Sequence, residues 1–205
     1  YWSNQFIKNV RSSGQKFVFK RHKKISCIKV GYLSSDFYDH ATAHLMASFF
    51  ENTNRKLFEN FVYSYGIDDK SKYRAKIKKD ADNFFDVRNL DNYEAAQKIY
   101  NDKIDILVDL KGHTRDARQE ILALKPAPIQ VVWLGFPGTS GSNYINYIIT
   151  DKIVTPNMKN YSEKPIYLPC YQVNNSQQQI ADIKYKRSDF GLPEKGIVFA
   201  SFNAP

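Results

Sequence analysis

Six short apolar runs, each bounded by turn-forming residues, recur along the sequence and constrain its fold more than any other feature. They cover residues 25–33, 61–67, 104–110, 129–136, 147–150 and 197–202, and residues 84–87 add a shorter candidate. Near-continuous apolar runs of this length are typical of strands that are buried on both faces of a parallel sheet. What lies between the runs therefore decides the fold class.

The segments between these runs have the periodicity of helices. Apolar residues at helical spacing predict helices over residues 40–52, 71–83, 92–100 and 115–124, and Asp91 is a plausible N-cap of the third. Alternating strands and helices indicate crossover units. We therefore predict an α/β fold with a Rossmann-like, doubly wound and mostly parallel sheet.

The sequence divides into three regions. Residues 1–24 are mixed and basic and are interpreted as a linker or the tail of an upstream region, residues 25–190 hold the alternating pattern, and residues 191–205 begin a further lobe. Because the chain opens at Tyr1 without Met and ends just after an apolar run, we expect it to be part of a longer polypeptide.

Composition argues against several classes of partner. The formal net charge of +9 is compatible with a nucleic-acid partner, but Lys occurs throughout and no aromatic-plus-basic RNA signature is present, so we expect none. No apolar run approaches the ~20 residues of a membrane helix, and no signal peptide is recognisable. Cys27 and Cys170 lack metal-binding spacing, which fits a reduced, cytoplasmic protein without a membrane partner.

Three loops with unusual chemistry follow predicted strands. They read SSDFYDHAT (34–42), KGHTRDAR (111–118) and PGTSGSN (137–143). The carboxyl ends of parallel strands share one edge of a sheet, and open α/β sheets bind ligands there. The agreement of three segments that are distant in sequence is the strongest indication of a functional site.

The PGTSGS loop has two interpretations of equal weight. Gly138 and Gly141 permit close backbone approach, and the neighbouring hydroxyls and N–H groups suit an oxygen-rich ligand. The same residues also make a tight turn. The loop matches neither the Walker pattern nor the dinucleotide-binding pattern.

The second loop carries His113 and Thr114 at a predicted helix start, where Thr114 is able to cap. Arg115 and Arg118 would then lie in the first turn, and cations there oppose the helix dipole. Contact with an anion, or simple exposure of both arginines, would explain them equally well.

Asp36, His40 and His44 are spaced four residues apart, which raises the possibility of a metal-dependent hydrolase. A divalent site needs at least three ligands of matched geometry, whereas Asp36 lies in a loop and no HEXXH motif is present. We therefore expect no metal. His44 reads as a half-buried histidine, while His40 is better placed for proton or phosphate chemistry, and its helix start favours a neutral imidazole.

Long phrases in these regions carry a family resemblance. They are VGYLSSDFYDHATAHLM (30–46), DILVDLKGHTRDARQEILALKPAPIQVVWLGFPGTSG (105–141), YIITDKIVTP (147–156) and YSEKPIYLP (161–169). From about residue 28 onward the chain resembles the O-linked N-acetylglucosamine transferases and their SPINDLY-type and bacterial relatives.

The resemblance implies the N-terminal lobe of a two-lobed GT-B glycosyltransferase, with tetratricopeptide helices upstream of residues 1–24. It implies inverting transfer of N-acetylglucosamine from UDP-GlcNAc to Ser or Thr of proteins, with no cofactor and no metal. The alternatives are O-fucosyl transfer from GDP-fucose, a metal-dependent hydrolase and a non-catalytic binding module. The family's phosphate-binding lysine would follow residues 197–202 in the second lobe, so the 205 residues alone are expected to be inactive and to bind donor weakly.

The resemblance also assigns residue roles. His40 matches a histidine beside the donor that is a candidate base, and Asp36 matches an acid near the acceptor hydroxyl. His113 stands where the animal enzymes have Tyr. The residues that would line the donor and sugar pocket are Thr42, His44, His113, Thr114, Leu134, Gly135, Pro137 and Gly138.

Overall fold

A computed structural model describes residues 5, 6, 8, 17–19, 27–173, 180 and 182–201. The predicted upstream tail at 1–24 and the predicted start of a second lobe at 191–205 therefore lie partly outside the described residues, and these boundaries stay predictions. No helix among the described residues is both long enough and apolar enough to cross a membrane.

Seven strands form one parallel sheet in the described part of the chain. They are β1 (Ile28–Ser34), β2 (Phe58–Ser64), β3 (Asn83–Asp86), β4 (Ile106–Asp109), β5 (Ile129–Val132), β6 (Tyr147–Thr150) and β7 (Lys164–Tyr167). Their order is β3-β2-β1-β4-β5-β6-β7, and every neighbouring pair is parallel. The chain thus winds outward from β1 in one direction and then returns to add β4 on the other side, which places the topological switch point between β1 and β4.

Four α-helices connect the strands in the described residues. They are α1 (Ala41–Met46), α2 (Lys72–Asp80), α3 (Asn92–Asn101) and α4 (Gln119–Ala123), and short 3-10 turns cover Phe50–Asn52 and Arg187–Phe190. The side chain of Asp91 accepts the N–H of Glu94 in a capping box, which confirms the predicted cap of α3. The hydroxyl of Ser71 caps α2 by accepting the N–H of Arg74.

Side chains from alternate positions of the strands make two cores, one on each face of the sheet. Leu33, Tyr63 and Leu107 pack with Ile99 of α3 on one face. Val30, Val62 and Val108 pack with Met46 of α1 on the other. Burial on both faces explains why the strands read as continuous apolar runs, and it confirms the predicted doubly wound α/β fold.

One predicted strand was wrong, and one strand of the sheet was missed. Residues 197–201 form no strand, and Ile197 and Phe199 are 84% and 94% exposed. Strand β7 was missed because it is a four-residue edge strand that contains Pro165 and is mostly exposed, so it lacks the apolar run by which the buried strands are recognised.

The helix predictions at both candidate loops were too long. The segment 40–52 is helical only over Ala41–Met46 before a 3-10 turn. The segment 115–124 is helical only from Gln119, so Thr114 does not cap it and His113 is not at its start. Instead the Thr114 hydroxyl donates to the carbonyl of Lys111 at 3.1 Å, and Asp116 takes a positive φ of 62° that interrupts helical geometry.

Candidate active site at the switch point

Asp36 and Lys111 join the loops that leave the two strands at the switch point. Asp36 lies two residues beyond the end of β1, and Lys111 lies two residues beyond the end of β4. The Lys111 Nζ is 2.9 Å from both carboxylate oxygens of Asp36. Asp36 is only 4% exposed and Lys111 only 5%. Two buried opposite charges thus meet where an open α/β sheet binds its ligand.

Neighbouring groups fix the orientation of the Asp36 carboxylate. The hydroxyl of Ser35 donates to Oδ1 of Asp36 at 2.7 Å, and the backbone N–H of Asp36 donates to the hydroxyl of Ser34 at 2.9 Å. One residue further, the carbonyl of Phe37 accepts a hydrogen bond from Nη1 of Arg74 at 3.0 Å. Arg74 is buried and also contacts Asp68 and Asp86, so α2 and β3 hold this loop in place.

The loop after β4 is organised by a second buried carboxylate. Asp109 accepts hydrogen bonds from the backbone N–H groups of Lys111 and Gly112 and from Nε2 of Gln119. Burial raises the pKa of the Asp109 carboxyl, although these hydrogen bonds oppose the rise. The two backbone contacts turn the chain sharply, which directs the Lys111 side chain towards Asp36.

His40 presents one ring nitrogen to the open side of this cluster. Its Nδ1 accepts the N–H of the buried Thr42 at 3.2 Å and lies 3.8 Å from Oδ2 of Asp36. Accepting that N–H requires a lone pair on Nδ1. Within the described part of the chain Nε2 has no hydrogen-bond partner, and the side chain is 37% exposed.

His44 lies apart from this cluster. Its Nε2 is 2.6 Å from Oδ1 of Asp39, and its ring packs against Tyr73 with centroids 4.0 Å apart. This agrees with the prediction of a half-buried histidine. Among the described residues no group of three His, Cys, Asp or Glu side chains is placed to hold a metal ion.

The third predicted loop reaches the same edge through a strained turn. Leu134 has a φ of 70°, and the N–H of Gly135 donates to the carbonyl of Trp133 at 2.9 Å, which closes a γ-turn. Turns of this kind with positive φ are rare and strained for residues other than glycine. The Tyr171 hydroxyl donates to the Leu134 carbonyl and supports the turn.

Asp36, Thr114 and Gly135 therefore meet at one place, because each lies against the segment 110–111. Asp36 binds the Lys111 side chain, the Thr114 hydroxyl donates to the Lys111 carbonyl, and a Cβ on Gly135 would lie 2.1 Å from the Leu110 carbonyl oxygen. The predicted convergence of the three loops on one edge is confirmed. What each side chain contacts in a substrate stays a prediction.

The PGTSGS loop is held by a carboxylate that sequence reasoning missed. The buried Glu163 accepts the N–H of Ser140 at 2.7 Å, the hydroxyl of Thr139 at 2.8 Å and the hydroxyl of Ser140. These donors are thus engaged within the protein, which favours the tight-turn interpretation over an anion-binding loop. At the start of the loop Pro137 is exposed and Gly138 packs on Phe136.

The exposed His113 and the two arginines also have specific positions. Nε2 of His113 is 2.8 Å from the carbonyl of Ser140, which ties the second loop to the third. The Arg118 guanidinium donates hydrogen bonds to Oδ1 of Asn92 and to the carbonyl of Leu90. These contacts anchor the start of α3, and they explain the position of Arg118 without a bound anion. Arg115 is 95% exposed at its side chain.

A cavity of about 510 Å³ lies elsewhere, on the face of the sheet beside β1 and β2. Its walls include Val30, Phe49, Phe58 and Val173, and it contains none of the charged groups described above. We place the site at the switch point because the charged and titratable side chains converge there, whereas the cavity offers volume without such groups.

Comparison with known proteins settles the family. The family description "Glycosyl transferase family 41" matches residues 5–186. The chain belongs to glycosyl transferase family 41. Residues 30–46 and 105–141, which carry the resemblance, lie within the matched region and include Asp36, His40 and Lys111.

Proteins similar to this chain are named as peptide N-acetylglucosaminyltransferases. A probable UDP-N-acetylglucosamine--peptide N-acetylglucosaminyltransferase SEC of Arabidopsis thaliana is 44% identical over 192 residues, covering 90% of this chain and 20% of the relative. The UDP-N-acetylglucosamine--peptide N-acetylglucosaminyltransferase of Caenorhabditis elegans is 43% identical over 145 residues, covering 69% and 13%. The chain thus spans about a fifth or less of these relatives.

A solved structure agrees with the fold. The Thermobaculum terrenum O-GlcNAc transferase mutant K341M superposes with a TM-score of 0.68 at 27% identity, covering 71% of this chain and 28% of that one. With the parallel seven-stranded sheet, this confirms the predicted N-terminal lobe of a GT-B glycosyltransferase.

Proposed function

We propose that this chain is the N-terminal lobe of an enzyme that transfers N-acetylglucosamine from UDP-GlcNAc to Ser or Thr hydroxyls of proteins. The observation that carries the proposal is the cluster of Asp36, Lys111 and His40 at the switch point of a family 41 sheet. The names of the plant and nematode relatives support both the donor and the peptide acceptor.

The proposed reaction is an inverting displacement. The acceptor oxygen forms a bond to the anomeric carbon, the bond from that carbon to the diphosphate oxygen breaks with its electron pair staying on UDP, and the acceptor proton passes to a phosphate oxygen of the departing UDP. The site must therefore stabilise the growing phosphate charge, accept a proton and exclude water.

His40 supplies a donor in this scheme. Because Nδ1 uses its lone pair on the Thr42 N–H, the hydrogen of the neutral ring resides on Nε2, which faces the open side and donates to an oxygen of the leaving group. The backbone at Leu134 and Gly135 borders the reacting groups. Thr42, His44, Thr114 and His113 then line or support the sugar pocket.

Asp36 supplies negative charge near the acceptor hydroxyl. Both its oxygens already contact the Lys111 ammonium, so this carboxylate is engaged within the protein and is not available as a ligand to a divalent ion. His44, the third residue of the hydrolase hypothesis, is bound to Asp39. The pairing of these side chains supports transfer without a metal or cofactor. We place this chemistry in the reducing cytoplasm, where Cys27 and Cys170 stay free thiols.

The donor is tested with the full-length protein and a panel of labelled nucleotide sugars. We expect label from UDP-GlcNAc to appear on Ser or Thr of a mixed protein substrate, and to appear more slowly or not at all from GDP-fucose. Preferential transfer from GDP-fucose would replace the proposed donor. Absence of transfer from every nucleotide sugar would support the non-catalytic binding module.

The 205 residues as a separate polypeptide test where the donor binds. Because the resemblance assigns the phosphate-binding lysine to the second lobe, calorimetry should detect only weak binding of UDP-GlcNAc, with Kd above about 1 mM. Tight binding by this polypeptide would mean that the first lobe holds the donor phosphates itself.

A further inference from the structure

We propose that Lys111 is a positioning residue of the transfer site, which keeps Asp36 ionised and oriented beside His40. The inference rests on the proposed function and deepens it, because it assigns a role that neither loop predicts alone. Lys111 acts through Asp36 and is not placed in contact with substrate.

The position of Lys111 is set by the fold. Leu33 of β1 lies opposite Asp109 of β4 in the sheet register, so the two strands end side by side. The loops then diverge at the switch point, and the Lys111 ammonium bridges the gap to Asp36. This ion pair fixes the distance between the loop after β1 and the loop after β4.

The burial of both charges makes the pair mutually dependent. Their side chains are each 6% exposed. Removing one partner of a buried ion pair leaves the other charge buried without a counter-charge, which is strongly destabilising. Without its cation the Asp36 carboxylate would stay buried with no counter-charge, which disfavours its ionised form. A protonated Asp36 lacks the charge that the proposed reaction uses.

The other groups that face Asp36 cannot replace Lys111. From its own loop they are His40, whose Nδ1 is 3.8 Å from Oδ2, and Tyr38. Burial first, and then the charge of Asp36, raise the pKa of Tyr38. Directly after β2 the nearby residue is Tyr65, whose pKa is raised by burial and by the charges of Asp109 and Asp36. Because their pKa values are raised, both phenols are uncharged at neutral pH. Within the described residues the lysine or arginine that contacts Asp36 is Lys111.

The test compares the full-length protein with its Lys111→Met variant. For transfer, we expect kcat to fall about 100-fold with KM for donor and acceptor changed less than about threefold, since the lost interaction acts on Asp36 and not on substrate binding. We also expect the acidic limb of the pH–kcat profile to move upward by about one pH unit.

Stability gives a readout that does not need activity. The Lys111→Met variant should lose about 10 °C in Tm. The loss should be smaller at acidic pH than at neutral pH, because a protonated Asp36 leaves no buried charge without its partner. In the Asp36→Asn/Lys111→Met double variant we expect most of the Tm to return and this pH dependence to vanish, with transfer still lost.

Lys76→Met is the matched control. Lys76 also binds two carboxylates, those of Glu51 and Asp80 at 2.7 and 2.8 Å, but on α2 away from the switch point. It should change neither the pH–kcat profile nor KM. An unshifted acidic limb in Lys111→Met would overturn the proposal. So would a double variant less stable than Lys111→Met, and this second result counts even if the wild-type protein transfers no sugar.

Discussion

The hydroxyl of Tyr171 donates to the carbonyl oxygen of Leu134, 37 residues earlier in the chain. Trp133 Nε1 in turn donates to the carbonyl of Tyr171 at 3.0 Å, and the N–H of Tyr171 donates to Oδ2 of Asp151 at 2.7 Å. Burial, with a smaller contribution from Asp151, raises the pKa of Tyr171 to about 12. One tyrosine thus connects the loop after β6 with the strained turn after β5.

Tyr171→Phe should remove the support of that turn without opening a cavity. We expect unfolding free energy to fall by about 1 kcal/mol and turnover of the full-length protein to fall several-fold, as Leu134 and Gly135 shift. Denaturant unfolding and steady-state transfer measure the two effects. Tyr167→Phe is the control, since its hydroxyl is 3.5 Å from the Thr155 carbonyl. Equal turnover in both variants would separate Tyr171 from the site.

Arg74→Met should destabilise the protein by about 3 kcal/mol. The buried guanidinium binds the Phe37 carbonyl, the Ser64 hydroxyl and the carboxylates of Asp68 and Asp86, and all would lose their partner together. Arg55→Met is the matched control. Arg55 pairs with Asp82 but is 51% exposed at its side chain, so it should cost about 0–1 kcal/mol. Similar losses for the two arginines in urea unfolding would refute the role of Arg74.

Gly135→Ala should cost about 3 kcal/mol or more, because its Cβ would lie 2.1 Å from the backbone oxygen of Leu110. Neither backbone segment is able to move away cheaply. Gly191→Ala has open space around its Cβ and only a positive φ of 63°, so about 1 kcal/mol is expected there. Thermal unfolding of the two variants makes the comparison. A mild effect at Gly135 would mean that its loop is not packed against residues 110–111.

The pH dependence of stability should include a contribution from Asp151. The backbone N–H groups of Val154, Tyr171 and Ile153 lower the pKa of its carboxyl below the usual 3.8. A carboxyl with a lowered folded pKa stabilises the protein above the unfolded pKa, and this stabilisation is lost as pH falls through the folded value. Asp151→Asn should therefore lower Tm at pH 7 and flatten its fall between pH 5 and 2.

Asp116→Asn is the control for that measurement. Its carboxylate is 77% exposed and lies 3.8 Å from Arg115, so the Tm–pH curve should match that of the wild type. If Asp151→Asn also gives the wild-type curve, the hydrogen bonds to its carboxylate do not stabilise the folded state.

The strands of the sheet were largely predictable because burial on both faces leaves a direct trace in sequence. Strand β6 occupies the predicted residues 147–150, whereas β7 leaves no such trace because it lies at the exposed edge. The helices were overestimated where apolar residues at helical spacing continue past a backbone turn. That turn depends on the hydrogen bond of Thr114 to Lys111 and on the positive φ of Asp116, and apolar periodicity reports neither.

The position of the candidate site was predictable from the sequence, but two of its buried charged residues were not. Parallel strand ends brought the three loops together, as the sequence indicated. Lys111 and Glu163 were missed because Lys and Glu usually occupy exposed positions, and the chain holds 30 Lys and Arg residues. Their burial follows from how loops distant in sequence pack against each other. A usable signal was present for Lys111, since it directly follows a predicted strand in the loop that holds His113 and Thr114.

The most direct test of the account is steady-state transfer from UDP-GlcNAc by full-length protein carrying His40→Ala or Asp36→Asn. Each variant is compared with wild type at equal folded fraction, checked by thermal unfolding. We expect kcat to fall at least about 100-fold in each, the scale for removing a positioned donor or charge from a transition state. Near-normal turnover in both variants with intact folding would remove the switch-point cluster from the reaction.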